Sequence, residues 1–126
     1  MRKDQALQKQ DFMKPSPNPD EVRAFDFRAP RFRVSFHFFV EVTALRNRCD
    51  AVCADIGGDG LAADLAQSLE PGTQVTLWLL FPGESVPARI TATVGYRRGK
   101  RHGFNFQYSA PAERAAIESF IRSLQT

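Results

Sequence analysis

Residues 33–44 read RVSFHFFVEVTA, and their side chains alternate between two kinds. The positions on one face are all apolar, namely Val34, Phe36, Phe38, Val40, Val42 and Ala44. The positions between them are mainly polar, and Phe39 is the exception. Because successive side chains of a β-strand point to opposite faces, this alternation predicts a half-buried antiparallel strand of unusual length.

The same two-residue period returns in five further segments, after a turn that we expect at residues 46–48. These predicted strands span about residues 49–56, 61–65, 75–81, 86–96 and 102–108. Glycine and proline mark the turns between them. In the fifth strand the inward positions would be Val86, Ala88, Ile90, Ala92, Val94 and Tyr96. Residues 97–100 would form a hairpin turn, and its arginines are expected to be solvated.

The hydrophobic period changes after Ala110. Pro111 suits the first turn of a helix, where its missing N–H is not needed. The apolar residues that follow are spaced as one helical stripe, namely Ile117, Phe120, Ile121 and Leu124. Six short strands and one closing amphipathic α-helix predict an all-β fold, a small six-stranded antiparallel β-barrel with a C-terminal helix.

The chain has 126 residues, which corresponds to one domain with a modest core. Residues 1–22 are polar and contain three prolines at alternate positions, so we expect a flexible N-terminal tail before a barrel domain at residues 23–126. No apolar run reaches the length of a membrane span, and the N-terminus is polar rather than signal-like. We therefore expect a cytoplasmic protein without membrane insertion.

Catalytic and metal-binding patterns are scarce in this sequence. Cys49 and Cys53 are four apart in an extended segment, so their Cα atoms would be roughly 13 Å apart, beyond disulfide reach. With His37 and His102 as its two histidines and no Cys-x-x-Cys, the chain offers few zinc ligands. It also lacks the Gly-x-Ser-x-Gly of a serine hydrolase. We expect a non-enzymatic protein without metal or cofactor, with both histidines outside any active site.

Binding chemistry is better supported, at two places in the chain. The net charge is only +3, so local clusters of charged residues indicate more about binding partners than the net charge does. Arg28, Arg31 and Arg33 lead into the first strand, and guanidinium groups pair with phosphates and stack on bases. The turn after the second strand reads Asp55-Ile56-Gly57-Gly58-Asp59-Gly60. Its aspartate can accept hydrogen bonds from a guanine edge, and its glycines allow close approach. Together the two segments predict a pocket for a ligand with phosphates and a guanine-like edge.

These segments, with His102-Gly103-Phe104-Asn105-Phe106 and the closing helix, resemble a PilZ domain over about residues 23–124. That resemblance implies a six-stranded barrel with a C-terminal helix and, in many members, a receptor for cyclic di-GMP. The family pattern is Arg-x-x-x-Arg before the first strand and Asp/Asn-x-Ser-x-x-Gly at the turn. Here no two lead-in arginines are four apart, and Gly57 stands in place of the serine. The candidate ligand-binding residues are Arg28, Arg31, Arg33, Asp55, Gly57 and Gly60.

The resemblance implies a bacterial cyclic di-GMP receptor that relays the nucleotide level to a protein partner in motility, biofilm or exopolysaccharide control. The alternative is a PilZ-like adaptor that does not bind the nucleotide and acts through protein contacts in pilus assembly or motility. A third class is a nucleic-acid-binding barrel whose phenylalanines stack on bases. We rank it last because most of the 11 phenylalanines are expected to be buried in the core. We expect a monomer or weak dimer that does not bind nucleic acid.

Overall fold

The computed structural model describes residues 30–125. The predicted N-terminal tail and Arg28 lie outside these residues. Seven strands and one helix follow in chain order: β1 (Arg31–Arg33), β2 (His37–Val42), β3 (Arg48–Gly57), β4 (Gly60–Leu65), β5 (Gln74–Leu79), β6 (Ala88–Arg98), β7 (Arg101–Phe106) and α1 (Pro111–Leu124). No helix in this part of the chain is both long and apolar enough to cross a bilayer.

Six of the strands close into an antiparallel barrel. Hydrogen bonds join the strands in the order β3-β2-β5-β6-β7-β4, and β4 pairs again with β3 to complete the circle. The short β1 pairs with the last residues of β3, beside the stretch that pairs with β2. The prediction of a six-stranded antiparallel barrel with a C-terminal helix is therefore confirmed.

The long first strand that the alternation predicts is interrupted at residues 34–36. Val34 N–H donates to Ala54 O at 3.3 Å, and Cys53 N–H donates to Phe36 O at 2.9 Å, so the chain stays beside β3 across the break. The predicted continuation to Ala44 was wrong, because the chain reverses directly after Val42. The carbonyl oxygen of Val42 accepts from Arg46 N–H at 2.7 Å, and Arg46 adopts a positive φ of 60°.

The barrel interior is built from the apolar positions that alternate along the strands. Val40, Ile56, Leu77 and Phe104 have no exposed surface, and Cys53 packs among them as a free thiol. Burial raises the pKa of Cys53 to about 12. The alternation therefore predicted the core of β2 to β7 correctly in its main positions.

Two inward positions predicted for the fifth strand were wrong. Val86 is 74% exposed because the strand begins only at Ala88. Tyr96 is half-buried, because a bulge between Val94 and Tyr96 shifts the register, and the Arg98 guanidinium lies 5.6 Å from its ring centroid.

Helix α1 closes one end of the barrel with the predicted apolar stripe. Ile117 and Phe120 are buried, and the ring of Phe120 stacks on Phe81 with centroids 4.1 Å apart. Phe36, the last residue of the break between β1 and β2, meets the Phe120 ring edge-on at 5.7 Å. The segment that leads into α1 reaches the turn between β3 and β4, because the Tyr108 hydroxyl donates to the carbonyl oxygen of Gly58.

Glu113 on α1 is buried, which the periodicity did not predict. Its carboxylate accepts hydrogen bonds from Thr91 N–H at 2.9 Å and Ser109 N–H at 3.2 Å, and both hydroxyl groups also donate to it. Burial raises the pKa of Glu113, but the hydrogen bonds from Ser109 and Thr91 outweigh that effect and hold it below the usual value. Glu113 thus fastens the start of α1 to β6.

Candidate functional site

The strand register places Arg31, Arg33, Asp55 and Gly57 on one outward face. Arg31 lies directly opposite Gly57, and Arg33 lies opposite Asp55. Residues two apart on a strand share a face, so the two arginines of β1 and the carboxylate of β3 meet outside the barrel. The structure therefore brings together four of the candidate residues that the sequence could only place in the same region.

Arg31 and Asp55 form an ion pair at this face. Arg31 Nε donates to Asp55 Oδ1 at 2.9 Å, and Nη2 donates to the same oxygen. The two side chains are 29% and 30% exposed, so solvent and a ligand can still reach both. Arg33 is also exposed and is in no ion pair with any residue from 30 to 125.

Gly57 lies in close contact with the strand that carries the arginines. A Cβ atom on Gly57 would lie 2.7 Å from the carbonyl oxygen of Pro30, a backbone atom that cannot easily move away. The side chain of Arg31 passes over the same position, with Cγ at 3.6 Å from it. A serine at position 57 would push the chain at the start of β1 away from β3, because only glycine lets the two segments approach this closely.

Gly60 is required by the barrel itself. A Cβ atom on it would overlap the carbonyl oxygen of Phe104 on the paired strand β7. The lack of a side chain therefore permits β4 and β7 to pair at the start of β4. A contact from Gly60 to a ligand stays a prediction.

The turn between β3 and β4 is held from the β7 side by two hydrogen bonds. Phe106 N–H donates to Asp59 O at 2.8 Å, and the Tyr108 hydroxyl donates to Gly58 O at 2.7 Å. Burial raises the pKa of Tyr108 to about 12, so its hydroxyl remains a donor at neutral pH. The turn is therefore positioned before any ligand arrives.

The second basic cluster is a solvated hairpin, as predicted. Arg97, Arg98 and Lys100 are exposed, and Arg101 Nε donates to Asp64 Oδ1 at 2.6 Å. The hydrogen bond from Arg101 holds the pKa of Asp64 below its usual value. This hairpin lies at the opposite end of β7 from the glycine turn.

His37 is exposed and His102 is fully buried. His102 Nε2 accepts from Leu69 N–H at 3.0 Å, and Nδ1 lies 2.8 Å from the carbonyl oxygen of Lys100. These partners assign the proton to Nδ1, because a carbonyl can only accept and an amide N–H can only donate. His102 therefore bridges the loop before β5 and the hairpin, a structural role. Among residues 30–125, no group of three or more histidine, cysteine or acidic side chains could hold a metal ion.

Tyr108 and Arg114 are potential site residues that the sequence did not single out. The Arg114 guanidinium carbon lies 4.5 Å from the centroid of the Tyr108 ring, a cation–π distance. Both line a surface groove of about 410 Å³ together with Glu118. The sequence predicted Tyr108 only as the end of the last strand, and the fold shows that its hydroxyl reaches the glycine turn.

Comparison with known proteins gives a consistent result. A family model described as the PilZ domain matches residues 26–123. The PilZ domain of CeSA from a cellulose-synthesizing bacterium superposes with a TM-score of 0.65 at 15% identity, covering 77% of this chain and 99% of that one. The PilZ domain of YcgR from Escherichia coli, solved with c-di-GMP, has a TM-score of 0.60 at 18% identity, covering 80% and 92%.

A further structural match is the Bacillus subtilis inhibitor of motility, MotI/DgrA. Its TM-score is 0.53 at 15% identity, and the match covers 79% of this chain and 51% of that one. No curated protein matches the sequence.

Proposed function

The chain belongs to the PilZ domain family, and on that premise we propose that it is a receptor for cyclic di-GMP that binds without catalysing a reaction. The observation that carries the proposal is the outward pair of Arg31 and Asp55 beside Gly57. The structure of the PilZ domain of YcgR with c-di-GMP supports the choice of nucleotide.

The chemistry of the pair suits such a ligand. The two hydrogen bonds that Arg31 donates to Asp55 arrive at Oδ1, and a carboxylate can accept further hydrogen bonds from the N1–H and amino group of a guanine. The fork of a guanidinium can pair with a phosphate or stack on a base. Arg33, opposite Asp55, adds a second cation for the phosphates. Arg28 stays a candidate that lies outside the described residues.

We further propose a cytoplasmic location and a protein partner that responds to the nucleotide-bound state. Control of motility, biofilm or exopolysaccharide is the matching process. The similarity to an inhibitor of motility supports the first of these processes.

Isothermal titration of the full chain with cyclic di-GMP tests the proposal. We expect saturable binding, which Asp55→Ala weakens at least roughly tenfold by removing a charge-assisted acceptor. Asp64→Ala is the matched control, because Asp64 forms a similar outward ion pair with Arg101 away from the site. Absence of binding at tens of micromolar, or equal losses in both variants, would contradict the proposal.

The alternative adaptor function has one observation in its favour. The space above Gly57 is taken by the Pro30 carbonyl and the Arg31 side chain, and no serine hydroxyl is present. An adaptor of this kind would capture its protein partner equally well with and without cyclic di-GMP. Nucleotide-dependent capture would exclude it.

A further inference from the structure

We propose that the groove formed by Tyr108, Arg114 and Glu118 binds the second half of the cyclic dinucleotide. In this arrangement Arg114 contacts a phosphate and Glu118 accepts hydrogen bonds from the second guanine. This inference rests on the proposed function, because it extends the site of Arg31 and Asp55 across the glycine turn.

The groove is attached to the turn by a direct contact. The Tyr108 hydroxyl donates to the carbonyl oxygen of Gly58 at 2.7 Å, and Gly58 follows directly after Gly57, which faces Arg31. The Tyr108 ring therefore forms a wall between the turn and the first turns of α1. The link from Gly57 through Gly58 to Tyr108 is the reason for placing the second half of a ligand seated beside Gly57 in the groove.

Arg114 is placed to donate to an anion. Its guanidinium rests on the face of Tyr108 at 4.5 Å, which limits its conformations before binding. It forms no ion pair with a carboxylate within residues 30–125. Its N–H groups can therefore turn to a phosphate without first breaking a salt bridge.

Glu118 lies four residues after Arg114 and lines the same groove. Its exposed carboxylate repels a phosphate but can accept from the N1–H and amino group of guanine. The groove thus repeats the combination of Arg31 and Asp55, one guanidinium and one carboxylate. The groove is open to solvent and has a volume of about 410 Å³.

The test compares two cyclic dinucleotides on the full chain by isothermal titration. Cyclic di-GMP has two guanines, whereas 3′,3′-cyclic GMP-AMP has one guanine and one adenine. We expect the single guanine of 3′,3′-cyclic GMP-AMP to bind Asp55, which leaves the adenine beside Glu118. The wild-type protein should prefer cyclic di-GMP, and Glu118→Ala should remove most of that preference. Arg114→Ala should weaken both ligands roughly tenfold or more.

Arg122→Ala is the matched control, because Arg122 lies exposed in the last turn of the same helix. Thermal unfolding of each variant confirms that it is folded. If wild-type protein binds cyclic di-GMP and Arg114→Ala matches Arg122→Ala, the groove has no part in binding and only this inference fails. If Glu118→Ala keeps the wild-type preference, the assignment of the second guanine fails. If wild-type protein binds neither nucleotide, the proposed function fails as well.

Discussion

At the scale of single residues, Gly57 connects the departure from the family pattern to the shape of the site. The sequence shows a glycine where the pattern has serine, and that difference alone suggests a lost hydrogen-bond donor. The structure adds a steric reason, because the Pro30 carbonyl oxygen occupies the place of a side chain. Restoring the serine would therefore displace β1 before its hydroxyl could serve a ligand.

We expect Gly57→Ser to lower the stability of the protein and not to strengthen nucleotide binding. Forcing a side chain into filled space costs about 1–3 kcal/mol. Gly58→Ser is the control, because a Cβ atom at Gly58 meets no atom within 4 Å. Urea unfolding would compare the two variants with wild type. Equal stability of both variants, or tighter nucleotide binding by Gly57→Ser, would refute this account.

At the scale of elements, α1 is held by contacts that its apolar stripe does not include. The stripe predicts the helix and its buried face, but Glu113 supplies the link to β6 through Thr91. The charged form of Glu113 accepts the hydrogen bonds from Thr91 and Ser109, and its pKa is lowered. The attachment of the helix therefore depends on pH.

The sign of that dependence follows from the lowered pKa. The stabilisation by Glu113 is fully present above its ordinary pKa of 4.5 and is lost as the pH falls through the lower pKa of the folded state. We expect the unfolding free energy of wild type to fall over this acid range more steeply than that of Glu113→Gln. Urea unfolding at a series of pH values measures both. Glu118→Gln, a change at an exposed site on the same helix, should keep the wild-type slope.

At the scale of the whole molecule, the proposed site is assembled from segments far apart in sequence. β1 and the glycine turn meet because β3 pairs with both β1 and β4, and the segment between β7 and α1 reaches the same turn through Tyr108. A ligand that contacts all three segments would bind the folded chain and not the unfolded one. Nucleotide binding should therefore stabilise the entire domain.

We expect the thermal midpoint of the full chain to rise with cyclic di-GMP concentration. At a ligand concentration of about 100 times Kd the gain is about 2.7 kcal/mol, which corresponds to a rise of roughly 10 °C or more for a domain of this size. Differential scanning calorimetry would record the shift. Asp55→Ala at the same nucleotide concentration should shift much less. A midpoint that is independent of the nucleotide in wild type would contradict the proposed receptor function.

The sequence by itself determined the secondary structure and most of the core. Two-residue alternation is a local property, so it predicted the strands, the helical stripe and the barrel class. It also placed Arg31, Arg33 and Asp55 near one another. It did not predict the break at residues 34–36 or the half-buried position of Tyr96, because the alternation of apolar and polar residues shows neither the break nor the bulge after Val94.

Tertiary structure decided which side chains meet. The ion pair of Arg31 and Asp55 depends on the register between β1 and β3, which joins residues 24 positions apart. The contact between Tyr108 and Gly58 spans 50 positions, and no local pattern encodes it. The need for glycine at position 57 likewise comes from the carbonyl oxygen of Pro30, directly before β1. The spacing of residues along a strand determines which face of the sheet a side chain lies on. The register between strands and the closure of the barrel determine which residue it contacts. The candidate site depends on such contacts between distant residues.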